Sequence, residues 1–210
     1  MNNNSGGEGI IISISGIDGS GKTTLLGRLN SHYTKLGKET LLTKQPTLNY
    51  MTHPLVKDNL STGRTEAGPE ALALLSAFDR LCHVSDLKHE LSDKDMIFSD
   101  RYKLDGIVSF AARGLDDQWV KEINKFCPEP DVSILMNCPG KTAYDRILNR
   151  GGEMTYDERS PDILERKRNL LLKYRNPQTL VLDATEDQDN LFEEAVEYID
   201  HYLKKNSLNL

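Results

Sequence analysis

The sequence is short of the features that would place it in several large classes. No apolar run is long enough to span a bilayer, which needs about 20 residues. The opening Met1 to Gly7 is a Met followed only by Asn, Ser and Gly. It has neither the charged start nor the apolar stretch of a signal peptide, so residues 1–8 are expected to be a disordered tail outside the fold. There are only three cysteines, Cys82, Cys127 and Cys138. An odd number, widely spaced and outside any CxxC or metal-ligand pattern, argues against a disulfide framework and for a reducing cytoplasm. Positive charge is not in excess: 26 Lys and Arg against 32 Asp and Glu give a net charge of −6. That excludes broad binding to nucleic-acid polymers or anionic membranes, both of which need a basic surface. Internal repeats and low-complexity stretches beyond the tail are absent as well.

What is present points to one compact domain over residues 9–206, since 210 residues hold enough apolar side chains for a sizeable core. Apolar, β-branched runs bounded by turn signals occur at 10–14, 40–43, 96–99, 132–136 and 179–182, with helix-like stretches between them. This alternation predicts an α/β fold with a parallel sheet covered by helices, and ligand-binding loops at the carboxyl ends of its strands. In the helix predicted over 69–90, Leu74, Phe78, Leu81 and Cys82 have the spacing of a core-facing stripe. Ala73, Ser76, Arg80 and His83 form a second strip, expected to face away from it.

After the first strand comes Gly16-Ile17-Asp18-Gly19-Ser20-Gly21-Lys22-Thr23, a complete GxxxxGK[ST] pattern, with Thr24 continuing into a helix. Glycines let successive backbone amides turn toward phosphate oxygens, and the helix amino terminus adds partial positive charge at the same spot. Lys22 supplies a point charge there. The hydroxyl of Thr23 suits a magnesium ion bridging the terminal phosphates of ATP. Asp18, a carboxylate among donors meant for anions, is expected to point across the cleft toward a hydroxyl or a hydrated metal ion. At the end of the third strand, Asp100-Arg101-Tyr102 puts an acid where it can hold a magnesium-bound water and a guanidinium where it can grip a phosphate.

On these residues, together with Ala77-Phe78-Asp79-Arg80, Arg113-Gly114-Leu115-Asp116, Trp119-Val120, Pro130-Asp131, a lid-like stretch from Arg146 to Arg168 and Val181-Leu182-Asp183-Ala184, the chain resembles the thymidylate kinase family. The resemblance spans most of the chain. It implies a three-layer P-loop NTPase fold with a five-stranded parallel sheet, a mobile lid at about 150–160 and a homodimer. It also implies ATP- and Mg-dependent phosphorylation of a nucleoside monophosphate, dTMP to dTDP, with ATP at Gly16 to Thr24. By the same resemblance Arg101 takes the acceptor phosphate, Arg80 the base and Asp18 the deoxyribose.

The pattern departs from the family in places. Ser76 stands where an aromatic usually stacks on the base, which costs roughly 1 to 3 kcal/mol of stacking unless Phe78, Tyr50 or Tyr102 substitutes. Asp105, Gly106 and Ser109 stand where polar and tyrosine side chains usually pack near the sugar, and Gln45-Pro46-Thr47 replaces a Glu-Pro-Gly turn. These departures keep open another or modified pyrimidine nucleotide as acceptor, while a P-loop switch without kinase activity is a more distant alternative. Between helices expected to end near Arg150 and begin near Pro161, a lid arginine is expected on the transferring phosphoryl, with Arg150 first and Arg159 second.

Overall fold

The computed structural model describes residues 9–64, 66–206 and 208; the expected tail at 1–8 lies outside them. Five strands, β1 (Ile10–Gly16), β2 (Thr40–Lys44), β3 (Met96–Asp100), β4 (Val132–Asn137) and β5 (Leu180–Asp183), form one sheet in the order β2-β3-β1-β4-β5. Every pairing is parallel, with Ile14 opposite Asp100 and Gly16 opposite Met136. All seven residues of β1 are buried, as expected of a central strand covered on both faces. The expected strand cores all lie inside these strands except Thr179, which just precedes β5.

Side-chain alternation sends β1 and β3 into two cores. Ile10, Ile12, Ile14, Met96 and Phe98 pack with Leu25, Leu26 and Leu29 of α1 (Lys22–Lys35) and with Leu191, Ala195 and Ile199 of α9 (Gln188–Lys205). Ile11 and Ile97 meet Val84 and Leu87 of α4 (Gly68–Glu90). The remaining helices are α2 (Leu48–Thr52), α3 (Pro54–Thr62), α5 (Lys103–Ala111), α6 (Asp117–Ile123), α7 (Gly140–Arg150) and α8 (Pro161–Tyr174). No helix among the described residues is long and apolar enough to cross a membrane.

One expectation is overturned. In α4 most of the stripe expected to face the core is turned outward: Leu74 is 52% and Phe78 66% exposed, and Cys82 is exposed too, whereas Leu81 is half-buried against the Ile11 and Ile97 cluster. The strip expected to face outward is the packed one, with Ala73, Ser76 and Arg80 buried and His83 half-buried. Small side chains at 73, 76 and 77 let the helix lie close against its neighbours, and the buried Arg80 is satisfied by hydrogen bonds instead of water. Apolar periodicity identifies two faces of a helix but assigns the interior one only when the polar face has no partners of its own.

The chain visits β2 and β3 on one side of β1 and β4 and β5 on the other. The crevice this reversal opens lies at the carboxyl ends of the strands, where β1 leads into the Gly16 to Thr24 loop and β3 into Asp100-Arg101.

Candidate active site

Sterics fix the loop after β1. Gly16 has φ 151°, and a Cβ there would lie 2.7 Å from the Ser20 hydroxyl and 2.9 Å from the Met136 carbonyl. Gly19 has φ 79° and would meet the Ala143 carbonyl at 2.3 Å. Gly21 occupies the N-cap of α1 in the left-handed region, with no side-chain cap and no acidic residue in the first turn. The helix therefore presents uncapped amides and the positive end of its dipole to the crevice. Thr23 and Thr24 are exposed there, whereas the buried Ser20 hydroxyl has no hydrogen-bond partner.

Lys22 folds back so that Nζ donates to the Ile17 carbonyl at 2.7 Å. Burial and the neighbouring Arg101 pull its pKa down to about 8, against the opposing pull of Asp18, Asp100 and Asp105. A triphosphate would supply the anion this ammonium is short of.

Arg101 is the only non-glycine residue at positive φ, 68°, among the described residues. Such a conformation costs of order 1 to 3 kcal/mol and persists where surrounding contacts over-determine it. Here the Arg101 amide donates to the Ile14 carbonyl at 3.0 Å, and its own carbonyl accepts from the Ser99 hydroxyl at 2.6 Å. The turn swings the guanidinium under the loop: Nη1 donates to the Gly16 carbonyl at 2.8 Å and to Asp105 at 3.2 Å, and Nη2 to Asp18. Three hydrogen bonds leave part of a five-donor fork available. Burial works against both partners of the Arg101–Asp18 pair, yet the pair prevails. The guanidinium and Lys22 hold the Asp18 carboxyl well below the usual carboxylate range, and Asp18, Asp105 and Asp100 raise Arg101 further.

Asp18, expected to point toward a hydroxyl or a hydrated metal ion, pairs here with the Arg101 guanidinium. Asp105, expected near the sugar, instead braces the loop: its carboxylate accepts from the Ser15 hydroxyl at 2.6 Å and the amides of Gly16 and Tyr102 at 3.3 and 3.4 Å. Ser109 lies one turn further along α5 and is half-buried.

Asp100 does not pair with its neighbour Arg101. One carboxylate oxygen is 3.5 Å from Lys44 Nζ, and the other is buried with no hydrogen-bond partner. A buried carboxylate oxygen without a partner, on a residue whose charge reaches Lys22, fits a hydrated magnesium ion, which typically takes one or two protein oxygens and keeps several waters. No cluster of three His, Cys, Asp or Glu suited to a protein-only metal cage exists among the described residues.

Arg80 and Ser76 belong to a neighbouring, enclosed network. Arg80 is 2% exposed and donates to Gln45 Oε1 at 3.2 Å, to Asn124 Oδ1 and to Ser76 Oγ at 3.3 Å. Glycine at 106 leaves room for its guanidinium in this position, since a Cβ there would lie 1.9 Å from Nη2 and force the arginine tip to move. Of the aromatic side chains expected to substitute at Ser76, Phe78 faces outward and Tyr102 is fully buried among Val84, Leu87 and Cys127. Tyr50 remains: it packs with Leu72, Ala73 and Phe110 and feels the charges of Arg113 and Arg80.

The segment expected to form a lid lies between α7 and α8, with a 3-10 turn at Asp157–Arg159. Arg150 donates to Glu158 at 3.1 Å, and Arg159 donates to the Met154 carbonyl at 3.1 Å. Both arginines are therefore held within this segment. Glu158, which also accepts from the Thr155 amide and hydroxyl at 2.8 and 2.9 Å, was not singled out in the sequence. Nor was Lys167, which pairs with Asp157 and adds to the positive field on Asp18. An acidic pair inside an arginine-flanked loop is the signal that could have revealed Glu158. The segment meets α3 through the Tyr156 amide, which donates to the Leu60 carbonyl at 2.7 Å.

Comparison with known proteins adds to this geometry. The sequence profile of the thymidylate kinase family matches residues 14–195. The chain is 33% identical over 190 residues to probable thymidylate kinase 1 of Saccharolobus solfataricus, covering 90% of this chain and 96% of that protein. It is 36% identical over 188 residues to thymidylate kinase of Xanthomonas oryzae pv. oryzae, covering 89% and 81%. It is 32% identical over 204 residues to probable thymidylate kinase of Pyrococcus horikoshii, covering 93% and 98%.

Proposed function

The chain belongs to the thymidylate kinase family, and from that premise we propose that it transfers the terminal phosphoryl group of ATP to the phosphate of dTMP, releasing ADP and dTDP. It is a nucleoside monophosphate kinase, a phosphotransferase. The observation that carries the residue-level reading is the meeting of two cationic groups at the carboxyl ends of β1 and β3, close enough for their charges to act on each other. One is the uncapped start of α1 with Lys22, and the other is the Arg101 fork.

In this reading the amides of Gly19 to Thr24 and Lys22 bind the donor phosphates. Arg101 uses its remaining donors to hold the acceptor phosphate in line. Asp18, already pinned to Arg101, faces the acceptor sugar, and Asp105 keeps loop and guanidinium in register. Magnesium, held through Thr23 and an Asp100-bound water, would neutralise charge on the terminal phosphates. Arg150 leaves Glu158 and turns onto the transferring oxygens when ligands close the lid, with Arg159 as the second candidate. Residues 9–206 work as one catalytic unit with 150–160 as its lid. No protein nucleophile is needed, because positioning and electrostatic stabilisation suffice for phosphoryl transfer.

The outward stripe of Leu74, Phe78 and Cys82 on α4 supports a homodimer, since a second copy would cover it. The three free cysteines fit a reducing cytoplasm. A second acceptor is favoured by a specific observation. With Ser76 in place of an aromatic and Gly106 and Ser109 along α5, the residues around Arg80 also suit another or modified pyrimidine deoxynucleotide.

The deciding assay incubates the protein with magnesium-ATP and a panel of nucleosides and monophosphates while ADP release is followed. The expected result is turnover with dTMP and little or none with thymidine. ADP release that is independent of any acceptor would contradict the proposal.

A further inference from the structure

Arg80 is a buried cation whose three hydrogen-bond acceptors, Gln45 Oε1, Asn124 Oδ1 and Ser76 Oγ, are all neutral. Burial depresses its pKa, but an arginine does not give up its proton in a protein. Its aim therefore depends on how those neutral groups are turned.

Gln45 has two faces. Its Oε1 accepts from Arg80 Nε at 3.2 Å, so its Nε2 is the atom 3.0 Å from His83 Nδ1. An amide nitrogen only donates, which makes Nδ1 the acceptor and places the imidazole proton on Nε2, where it donates to Thr43 Oγ1 at 2.7 Å. Turning the Gln45 amide over would set its NH2 against Arg80 Nε–H, two donors face to face. The chain Thr43–His83–Gln45–Arg80 is consistent in one orientation only.

We propose that His83 is a positioning residue for the acceptor site. Its neutral imidazole holds Gln45 with the carbonyl toward Arg80, and protonation at Nδ1 makes Gln45 turn and release the guanidinium. This rests on the reading of Arg80 as the acceptor-base contact. The charged groups around His83 are Asp79 and Asp86 on α4 itself, Lys44 on β2 across the shared cavity, and Arg80 behind Gln45. The carboxylates favour protonation, but burial outweighs them and moves the His83 pKa below its ordinary value of 6.5. The imidazole is thus neutral at neutral pH and gains its proton only on the acid side of that value.

The test measures acceptor KM, ATP KM and kcat from about pH 5.5 to 8 for the wild type, His83→Leu, His83→Gln and Arg80→Ala. Glutamine can accept from Gln45 and donate to Thr43 but does not titrate. At neutral pH His83→Leu should raise acceptor KM about tenfold with kcat and ATP KM nearly unchanged. The acceptor phosphate itself titrates at about pH 6. Wild-type acceptor KM should accordingly climb more steeply toward acid than that of His83→Gln, which carries the phosphate contribution alone. Should His83→Leu fail to fold, the comparison of these two pH profiles decides. Superimposable profiles, or a folded His83→Leu with wild-type acceptor KM, would overturn the relay alone, provided Arg80→Ala raises acceptor KM. An Arg80→Ala protein with unchanged acceptor KM would remove both the base-contact reading and the relay.

Discussion

The two walls of the crevice are built on different principles. The wall formed by the loop after β1 is made of backbone: glycines at positive φ, uncapped helix amides and one lysine, all within nine consecutive residues. The wall formed by α4 and α5 is made of side chains, where Arg80 is aimed by partners 35 and 44 residues away in sequence and lies against Gly106. A backbone cradle recognises what every nucleoside triphosphate shares, and it tolerates change at any residue whose side chain is not in the cradle. A side-chain network can discriminate between bases, but each member depends on the others. Arg101 stands between the walls, bonded to Gly16 and Asp18 on one side and Asp105 on the other.

The comparison can be broken first on the backbone wall. Lys22→Ala removes its only side-chain cation and should lower kcat/KM for ATP by about a thousandfold or more, leaving binding of the acceptor alone nearly unchanged. Equal loss of acceptor binding would mean that the walls are not separable. Arg150→Ala should lower kcat about a hundredfold with little change in either KM, because its contact is made only as the lid closes. A rise in KM without loss of kcat would assign Arg150 to ground-state binding.

On the other wall, Gly106→Ala puts a methyl where Arg80 Nη2 sits. It should raise acceptor KM by about tenfold while ATP KM stays put, and steady-state kinetics with each substrate varied would show it. A smaller effect comes from pH. The Lys22 pKa of about 8 means that the ammonium loses its proton as pH rises through that value. Affinity for ATP should therefore fall several-fold between about pH 7 and 9, a loss absent from Lys22→Arg if that variant still binds.

The same contrast explains what was legible in the sequence. The loop after β1 could be read because its chemistry is contiguous and each glycine has a local steric reason. The five strands could be read because buried parallel strands are short apolar runs between turn signals. The inner face of α4 was misread because its polar strip looked solvated: nothing local to Ser76, Arg80 and His83 announces acceptors at Gln45 and Asn124. Asp105 looked like an altered sugar contact because its partners Ser15 and Gly16 lie about 90 positions upstream. Residues whose role is to satisfy one another across distant segments leave no periodic or motif signal, so the loop after β1 was readable and the network around Arg80 was not.

The central claim is that Arg101 recognises the phosphate of the acceptor, and calorimetric titration of dTMP and of thymidine into wild type and Arg101→Ala tests it without any turnover. The wild type should bind dTMP far more tightly than thymidine, and Arg101→Ala should bind both weakly and alike. An Arg101→Ala protein that is properly folded and still prefers dTMP by the wild-type margin would contradict it.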